Sequence, residues 1–573
     1  MKFEKRAPGL RLRLEGWRSR ALLIVLVSGF AVLAARAFFL QGLNNSFLQA
    51  KGEARYGRVV EMPASRGAVR DRHGQPLAIS TPAESIWASP EDLEADDAQV
   101  AKLARALGME AREIRQKVAE KDRQFAWLKR QISPEQAAKV MALRIPGVFQ
   151  QREYRRFYPA GEVMAHVVGF TGIDDAGQEG IELAQQERLA GVPGSRRVIK
   201  DRKGRIVEDV ENLRAPREGR AITLSIDQRL QFLAHKELKG AVEANKAKGG
   251  SLVVIDARTG EVLALVNQPD YNPNNRQSVT GRQTRNRSVT DTFEPGSTFK
   301  PFAIAAAIEA GIVKPDTITE TGANLVMPGG TITDTHPKAQ LTTWEIVQKS
   351  SNIGTAKIAL RMSPESLWTV YSELGFGKAP LTGFPGEAGG KLRSWKSWRP
   401  IEQATMSYGY GVSVSLLQLA RSYTLFTNDG RLLPITLLKT DSHPIGKPIC
   451  SAATAQTVSA MLERVVLAGG TATRAQVPGY RVAGKTGTAW KIVNGQYADN
   501  AYVATFVGYA PVSDPRYIIG VMIDEPSAGK FYGGDVSAPV FAQVMGAALR
   551  MMSVPPDAEA HQAAAQKPGG APG

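Results

Sequence analysis

The chain has 573 residues, 43% hydrophobic and 22% charged. That balance excludes a largely disordered or fibrous chain, and at roughly 100–200 residues per domain the length excludes a single small one. The one cysteine, Cys450, excludes an internal disulfide and a cysteine-rich metal site, and the six histidines include no pair at the i, i+4 spacing of a helical zinc site. A net charge of +17 suits an anionic lipid surface, another polyanion or nucleic acid, but no nucleic-acid motif accompanies it.

Residues 1–20 carry seven Lys and Arg against Glu4 and Glu15, and residues 21–40 are apolar apart from Arg36. A helix of that length is about 30 Å long, enough to cross the hydrocarbon of a bilayer, with Arg36 placed to snorkel to the headgroups. The positive-inside rule keeps residues 1–20 cytoplasmic and places everything after about residue 41 outside, and the single cysteine is compatible with a periplasmic location. Ala35-Arg36-Ala37 has the small residues of a signal-peptidase site, but Phe38, Phe39 and Leu40 prolong the apolar run. An uncleaved transmembrane helix over 21–41, followed by a linker over 42–57, is therefore expected.

From 58 to 216 the sequence is charged and mixed, and reads as an extended α+β module with a helix from Asp97 to Lys121. A second pattern covers 217–552. Ile222–Ile226 alternates as a strand, and Leu230, Leu233, Ala234, Leu238, Ala241 and Val242 recur at helical spacing. Ser251–Asp256 and Glu261–Val266 flank Ala257-Arg258-Thr259-Gly260 as a β-hairpin. Tyr480–Ala483, Ala501–Val507 and Tyr517–Ile523 read as three further strands, and the segment between is mostly helical. Strands at both ends imply one α+β domain whose terminal segments close a single antiparallel sheet flanked by helices. The Pro-, Ala- and Gly-rich stretch 553–573 is expected to be disordered.

Three motifs carry chemistry. Ser297-Thr298-Phe299-Lys300 heads the apolar run Phe302–Ile308, so Ser297 stands at a helix N-terminus with Lys300 one turn along on the same face. A serine hydroxyl needs a base beside it, and a lysine serves if burial and a positive neighbour lower its pKa from about 10.4. Pro301 disfavours helical backbone at Lys300, which the first turn must absorb. Ser350-Ser351-Asn352 begins a second apolar helix; these residues suit an ordinary N-cap, or a proton relay through Ser350 with Asn352 donating to substrate. Lys485-Thr486-Gly487-Thr488 continues the strand from Tyr480. It suits a turn or a charged sheet edge, or a substrate site in which Lys485 supplies charge, Gly487 lets a backbone approach, and Thr486 and Thr488 bind a carboxylate.

In this order and spacing the three motifs match those of penicillin-binding proteins and class A β-lactamases. The chain resembles the class B penicillin-binding proteins. Arg66-Gly-Ala-Val-Arg-Asp-Arg-His-Gly74, Arg155-Arg-Phe-Tyr-Pro159, Ala165–Phe170 and Gly177-x-x-Gly180-x-Glu182 are similar to motifs of that family's non-catalytic, dimerisation-type pedestal. Tyr271-Asn-Pro-Asn-Asn275, Arg285-Asn-Arg287, Tyr408-Gly-Tyr-Gly411 and Tyr532-Gly-Gly534 are similar to the septal, cell-division branch of Gram-negative bacteria. No long segment precedes the pedestal, so a glycosyltransferase domain is not expected.

The resemblance implies a transpeptidase that acylates Ser297 with a peptidoglycan stem, with Lys300, Ser350, Asn352 and Lys485 as catalytic residues and Thr486, Gly487, Thr488 and Tyr532 at the substrate. Backbone N–H groups of Ser297 and Thr488 would form the oxyanion hole. No metal or organic cofactor is expected. The implied partners are stem peptides, nascent glycan strands, β-lactams, the bilayer, a membrane-embedded glycan polymerase and other division proteins, with no nucleic acid. A D,D-carboxypeptidase or β-lactamase would share the motifs, though no deacylating Glu is recognisable; a penicillin sensor or division scaffold without turnover is the non-enzymatic alternative.

Overall fold

The computed structural model describes residues 15–40, 57–200, 206–493 and 495–558. Most of the basic segment, the linker before residue 57 and the tail from 559 lie outside the described residues. The chain divides into two compact units. One holds residues 1–64, 83–153 and 192–217, the other 65–82, 154–191 and 218–573.

In the first unit, α1 (Gly16–Phe38) buries none of its residues and has the length and apolarity to cross a membrane. Strand β1 (Gly57–Met62) belongs to a three-stranded antiparallel sheet described below. The C-terminal half of β2 (Pro76–Ala88) leads into α2 (Asp97–Leu107) and α3 (Ala111–Lys117). The single helix expected from Asp97 to Lys121 is thus two. Asp96 and Gln99 form a reciprocal capping box at the start of α2, and Gly108, left-handed at φ 63°, ends it. Val100, Leu103, Ala104 and Leu107 form the buried stripe of α2. They pack with β3 (Ala126–Ile132), α4 (Pro134–Met141) and the start of β4 (Val148–Phe157) around Ile86, Ile114, Leu128, Val140 and Val148. Strand β1 pairs antiparallel with β5 (Gly194–Lys200), and β5 with β6 (Ile206–Arg214).

In the second unit the expected strand Ile222–Ile226 is only Ile222–Thr223, parallel to Val69–Arg70. It stops because Asp227 caps α5 (Gln228–Ala244), accepting from the N–H groups of Arg229 and Leu230. The hairpin β7 (Gly249–Asp256) and β8 (Val262–Gln268) forms as expected. Next come α6 (Lys300–Glu309), a long hairpin of β9 (Ile318–Met327) and β10 (Gly330–Thr342), then α7 (Thr343–Lys349), α8 (Asn352–Ala359) and α9 (Leu416–Ser422). The β9–β10 hairpin interrupts the segment read as mostly helical. Finally β11 (Ala483–Val493), β12 (Gln496–Ala510), β13 (Tyr517–Asp524) and α10 (Ala538–Met551) complete the unit.

The sheet order is β8-β7-β13-β12-β11, antiparallel throughout, so the two ends of this region close one sheet as its strand pattern implied. Helices pack on it, and β7 and β13 are buried at nearly every position. Strand β11 is an edge, and it starts at Ala483 rather than Tyr480. The Tyr480 and Arg481 N–H groups bond Val477 O and the Asp557 carboxylate instead of a neighbouring strand. Asp557 and Val554 are buried, and Tyr480 donates its hydroxyl to Val554 O, so the chain stays packed past Ser553.

Candidate active site

Ser297 lies in a 3-10 turn, Gly296–Phe299, that runs directly into α6. The tighter turn lets Lys300 adopt helical backbone (φ −53°, ψ −40°) ahead of Pro301, whose missing N–H falls among the unpaired donors of the first turn. The turn is held from several sides. Thr298 donates to Pro295 O at 2.7 Å, Tyr423 donates to Thr298 O at 2.9 Å, and Phe299 packs on Phe302, Tyr371 and Phe376. Gly296 N–H bonds Gly409 O at 3.2 Å. Gly409 sits at φ 88°, and a Cβ there would lie 2.2 Å from Gly296 O, so glycine is required where the Tyr408–Gly411 loop backs the turn.

Lys300 is fully buried, and its Nζ donates to Ser350 O at 2.5 Å and to Ser350 Oγ at 3.1 Å. Burial and, next, the Lys485 ammonium lower its pKa well below the ordinary lysine value, against an opposing pull from Asp334. The two candidate roles of the Ser350-Ser351-Asn352 motif fall on different serines. Ser351 caps α8, accepting from Gly354 N–H at 2.9 Å, whereas Ser350 is left-handed (φ 61°) between α7 and α8 and turns to Lys300. Asp334 on β10 fixes this junction: it accepts from Ser351 Oγ and Asn352 N at 2.5 Å each and from Ile353 N at 3.0 Å. The Asn352 side-chain amide donates to Thr333 O at 2.9 Å.

On the edge strand, Lys485 is fully buried, not an exposed edge charge, and its Nζ bonds Thr486 O at 3.3 Å. Burial pulls its pKa down to about 7. Thr486 Oγ1 pairs with Thr471 Oγ1 at 2.8 Å, and Thr488 Oγ1 accepts from Gly533 N–H at 3.0 Å, which leaves its own O–H to donate. At Gly487 a Cβ would meet Thr505 Oγ1 at 2.3 Å and Pro295 O at 2.7 Å. The backbone that approaches Gly487 is thus the protein's own segment leading into Ser297. Tyr532 is 47% exposed and packs on Phe531 at 4.5 Å between ring centres.

The structure therefore brings Lys300 onto Ser350 and packs Gly487 onto the Ser297 turn, while Tyr532 stands at the surface. Sequence reasoning missed Asp334 and Glu294. The buried Glu294, three residues before Ser297, accepts from Gly411 N–H at 2.7 Å and from Tyr497 hydroxyl at 3.0 Å; burial raises its pKa. Neither residue belongs to a recognisable motif. Glu294 alone had a signal, its place beside Ser297.

A hydroxyl at the head of a buried helix, an amine kept toward neutrality one turn along, and a second serine on that amine define a serine acyl-transfer enzyme. Family models match at residues 61–224, as a penicillin-binding protein dimerisation domain, and at residues 250–546, as a penicillin binding protein transpeptidase domain. The chain is 45% identical over 551 residues to the probable peptidoglycan D,D-transpeptidase PenA of Neisseria gonorrhoeae, covering 96% of this chain and 95% of that protein. It is 41% identical to the peptidoglycan D,D-transpeptidase FtsI of Escherichia coli (strain K12), covering 95% and 93%. The transpeptidase-domain structure of Burkholderia pseudomallei penicillin-binding protein 3 superposes with a TM-score of 0.54 at 49% identity, covering 58% of this chain and 97% of that one. The chain belongs to the class B penicillin-binding proteins, and its α1 is consistent with a single-pass anchor.

Proposed function

We propose that the protein cross-links peptidoglycan stem peptides at the division septum through an acyl-enzyme on Ser297. Ser297 Oγ attacks the carbonyl of a D-Ala–D-Ala terminus as its proton passes to Lys300. The peptide C–N bond then breaks, and the proton reaches the departing D-alanine amine through Ser350, with Lys485 beside the path. An amine of a second stem attacks the ester, forms the new amide, and returns the proton to Ser297. The N–H groups of Ser297 and Thr488 hold the oxyanion. Lys485, Thr486 and Thr488 hold the stem carboxylate, Gly487 keeps the strand close, Asn352 offers its remaining amide hydrogen to the donor stem, and Tyr532 lines the rim.

The observation that carries this reading is the buried Lys300 amine bonded to both oxygens of Ser350. A neutral amine that donates both N–H groups to those oxygens keeps its lone pair for the Ser297 proton.

We place the pedestal at 58–216 and the transpeptidase domain at 217–552, with α1 in the inner membrane, residues 1–20 cytoplasmic and the catalytic domain periplasmic. A membrane-embedded glycan polymerase and other division proteins then supply strands and timing. The test is a mass spectrum and peptide map after exposure to penicillin. The expected result is an ester on Ser297, absent in Ser297→Ala, that persists far longer than a β-lactamase intermediate. An adduct elsewhere overturns the site, and decay within seconds favours the hydrolase.

A further inference from the structure

The first compact unit contains a cleft of about 360 Å³ where α3 runs toward β3, inside the ~300–1,000 Å³ range of small-molecule sites. Gln116, Lys117, Glu120 and Arg123 form its polar lining, and Phe125 and Trp127 its aromatic lining. The rings are held in place. Trp127 pairs across the strands with Trp87, and Trp87 stacks on Phe149 at 4.5 Å and lies 4.9 Å from Phe125. Phe125 meets Trp127 edge to face at 4.8 Å and is nevertheless 43% exposed. The Arg130 guanidinium lies 5.0 Å from the Trp127 ring centre.

The charged groups of the lining are paired. Lys117 Nζ donates to Leu128 O at 2.7 Å and lies 3.3 Å from Glu113, and Arg123 pairs with Glu120 at 2.6 Å. Both cations of the lining thus have a carboxylate partner, so the cleft presents donors and acceptors without a strong net charge. A pyranose ring fits that chemistry: its C–H face stacks on an aromatic ring, and its hydroxyl and acetamido groups need donors and acceptors together. An anionic stem peptide would call for uncompensated cations. A protein hot spot would present a dry apolar centre with the polar groups at its rim, not lining the cavity.

We propose that this cleft binds the amino-sugar backbone of a peptidoglycan strand, separately from the peptide chemistry at Ser297. The inference rests on reading the protein as a peptidoglycan transpeptidase. The test titrates the full-length, detergent-solubilised protein with peptide-free chains of alternating N-acetylglucosamine and N-acetylmuramic acid, followed by calorimetry and tryptophan fluorescence. Penicillin labelling is measured in parallel. Saturable binding is expected, weakened about tenfold in Trp127→Ala and in Arg123→Ala, with penicillin labelling unchanged. Gln116→Ala and Arg123→Ala alter exposed side chains and decide the matter if Trp127→Ala fails to fold. No saturable binding by the wild-type protein, equal binding by the Gln116 and Arg123 variants, or displacement by free stem peptide overturns the proposal. Loss of penicillin labelling in the wild-type protein would instead overturn the transpeptidase reading and leave the glycan titration to be judged by itself.

Discussion

The Nζ of Lys300 lies 2.5 Å from the carbonyl oxygen and 3.1 Å from the hydroxyl of Ser350, fifty residues away in sequence. The lysine is fully buried and its charged form is disfavoured, so the protein gives up stability to hold it there. Lys300→Met keeps the length and removes the amine. Its expected outcome is a melting temperature equal to or above that of the wild type, together with loss of penicillin labelling. Labelling at the wild-type rate would show that Lys300 is not the base.

Lys485 makes stability depend on pH in a defined window. Its folded pKa is about 7 against 10.5 for the free side chain, so between these values the unfolded chain binds the additional proton. Stability therefore rises with pH from about 7 to 10.5, by at most ~1.4 kcal/mol per pH unit from this group, and below about 7 the cost of burying the charge is constant. Lys485→Met should reduce that slope in denaturant unfolding across the window, leaving the part that the likewise depressed Lys300 contributes. The same change removes a positive neighbour of Lys300, raises the Lys300 pKa, and moves the acid limb of the acylation profile to higher pH. An unmoved limb would mean that the two lysines do not communicate.

Gly487→Ala tests how closely the edge strand must approach the nucleophile's turn. The new Cβ would sit 2.3 Å from Thr505 Oγ1 and 2.7 Å from Pro295 O, so either the strand or the turn must move. Overpacking of this kind costs about 1–3 kcal/mol. Acylation by penicillin should fall at least tenfold while circular dichroism stays native. Adding Thr505→Ala removes one of the two contacts, so only partial recovery of the rate is expected. Full acylation in Gly487→Ala alone would show that the turn tolerates displacement.

What the sequence made legible follows from which interactions are local. The β7–β8 hairpin, α5 and the closing strands β12 and β13 announce themselves by apolar runs and spacing. The β9–β10 hairpin does not, because most of its residues face solvent and no alternation marks them. Asp334 went unseen with it, since its value comes from meeting α8 across a fold that spacing cannot show. Ser350 and Ser351 are chemically identical in the sequence; only the left-handed backbone at Ser350 separates the cap from the lysine's partner. Lys485 could be read as an exposed edge charge as well as a substrate-site cation, because the strand pattern reveals the edge but not what covers it.

Glu182 explains why Arg66 and Arg156, read at first only as parts of motifs, occur together in the second unit. Its carboxylate accepts from Arg66 Nε and from Arg156 Nε, each at 2.6 Å, and all three side chains are almost fully buried. Both terminal nitrogens of each guanidinium also donate: Arg66 bonds Glu182 O, Asp175 O and Gln186 Oε1, and Arg156 bonds Gly67 O and Ser80 Oγ. Two buried cations on one carboxylate are tolerable only while that carboxylate is charged. Glu182→Gln preserves the shape and leaves both guanidiniums with only the Asp175 carboxylate, outside ion-pair distance, as a counter-charge. Breaking a buried ion pair by removing one partner costs roughly 3–5 kcal/mol, a large share of a typical domain's 5–15 kcal/mol. The expected outcome is a sharply lowered melting temperature, with the fraction that remains folded still labelled by penicillin at the wild-type rate, because Glu182 touches none of the residues around Ser297. Replacing Arg66, Arg156 and Glu182 together by apolar residues of similar volume should recover much of the stability, since no unpaired charge is then left buried. If Glu182→Gln melts like the wild type, the carboxylate is not what holds these arginines. If the triple replacement is no more stable than Glu182→Gln, then the hydrogen bonds to Gly67, Asp175 and Ser80, rather than the ion pairs, hold this part of the second unit together.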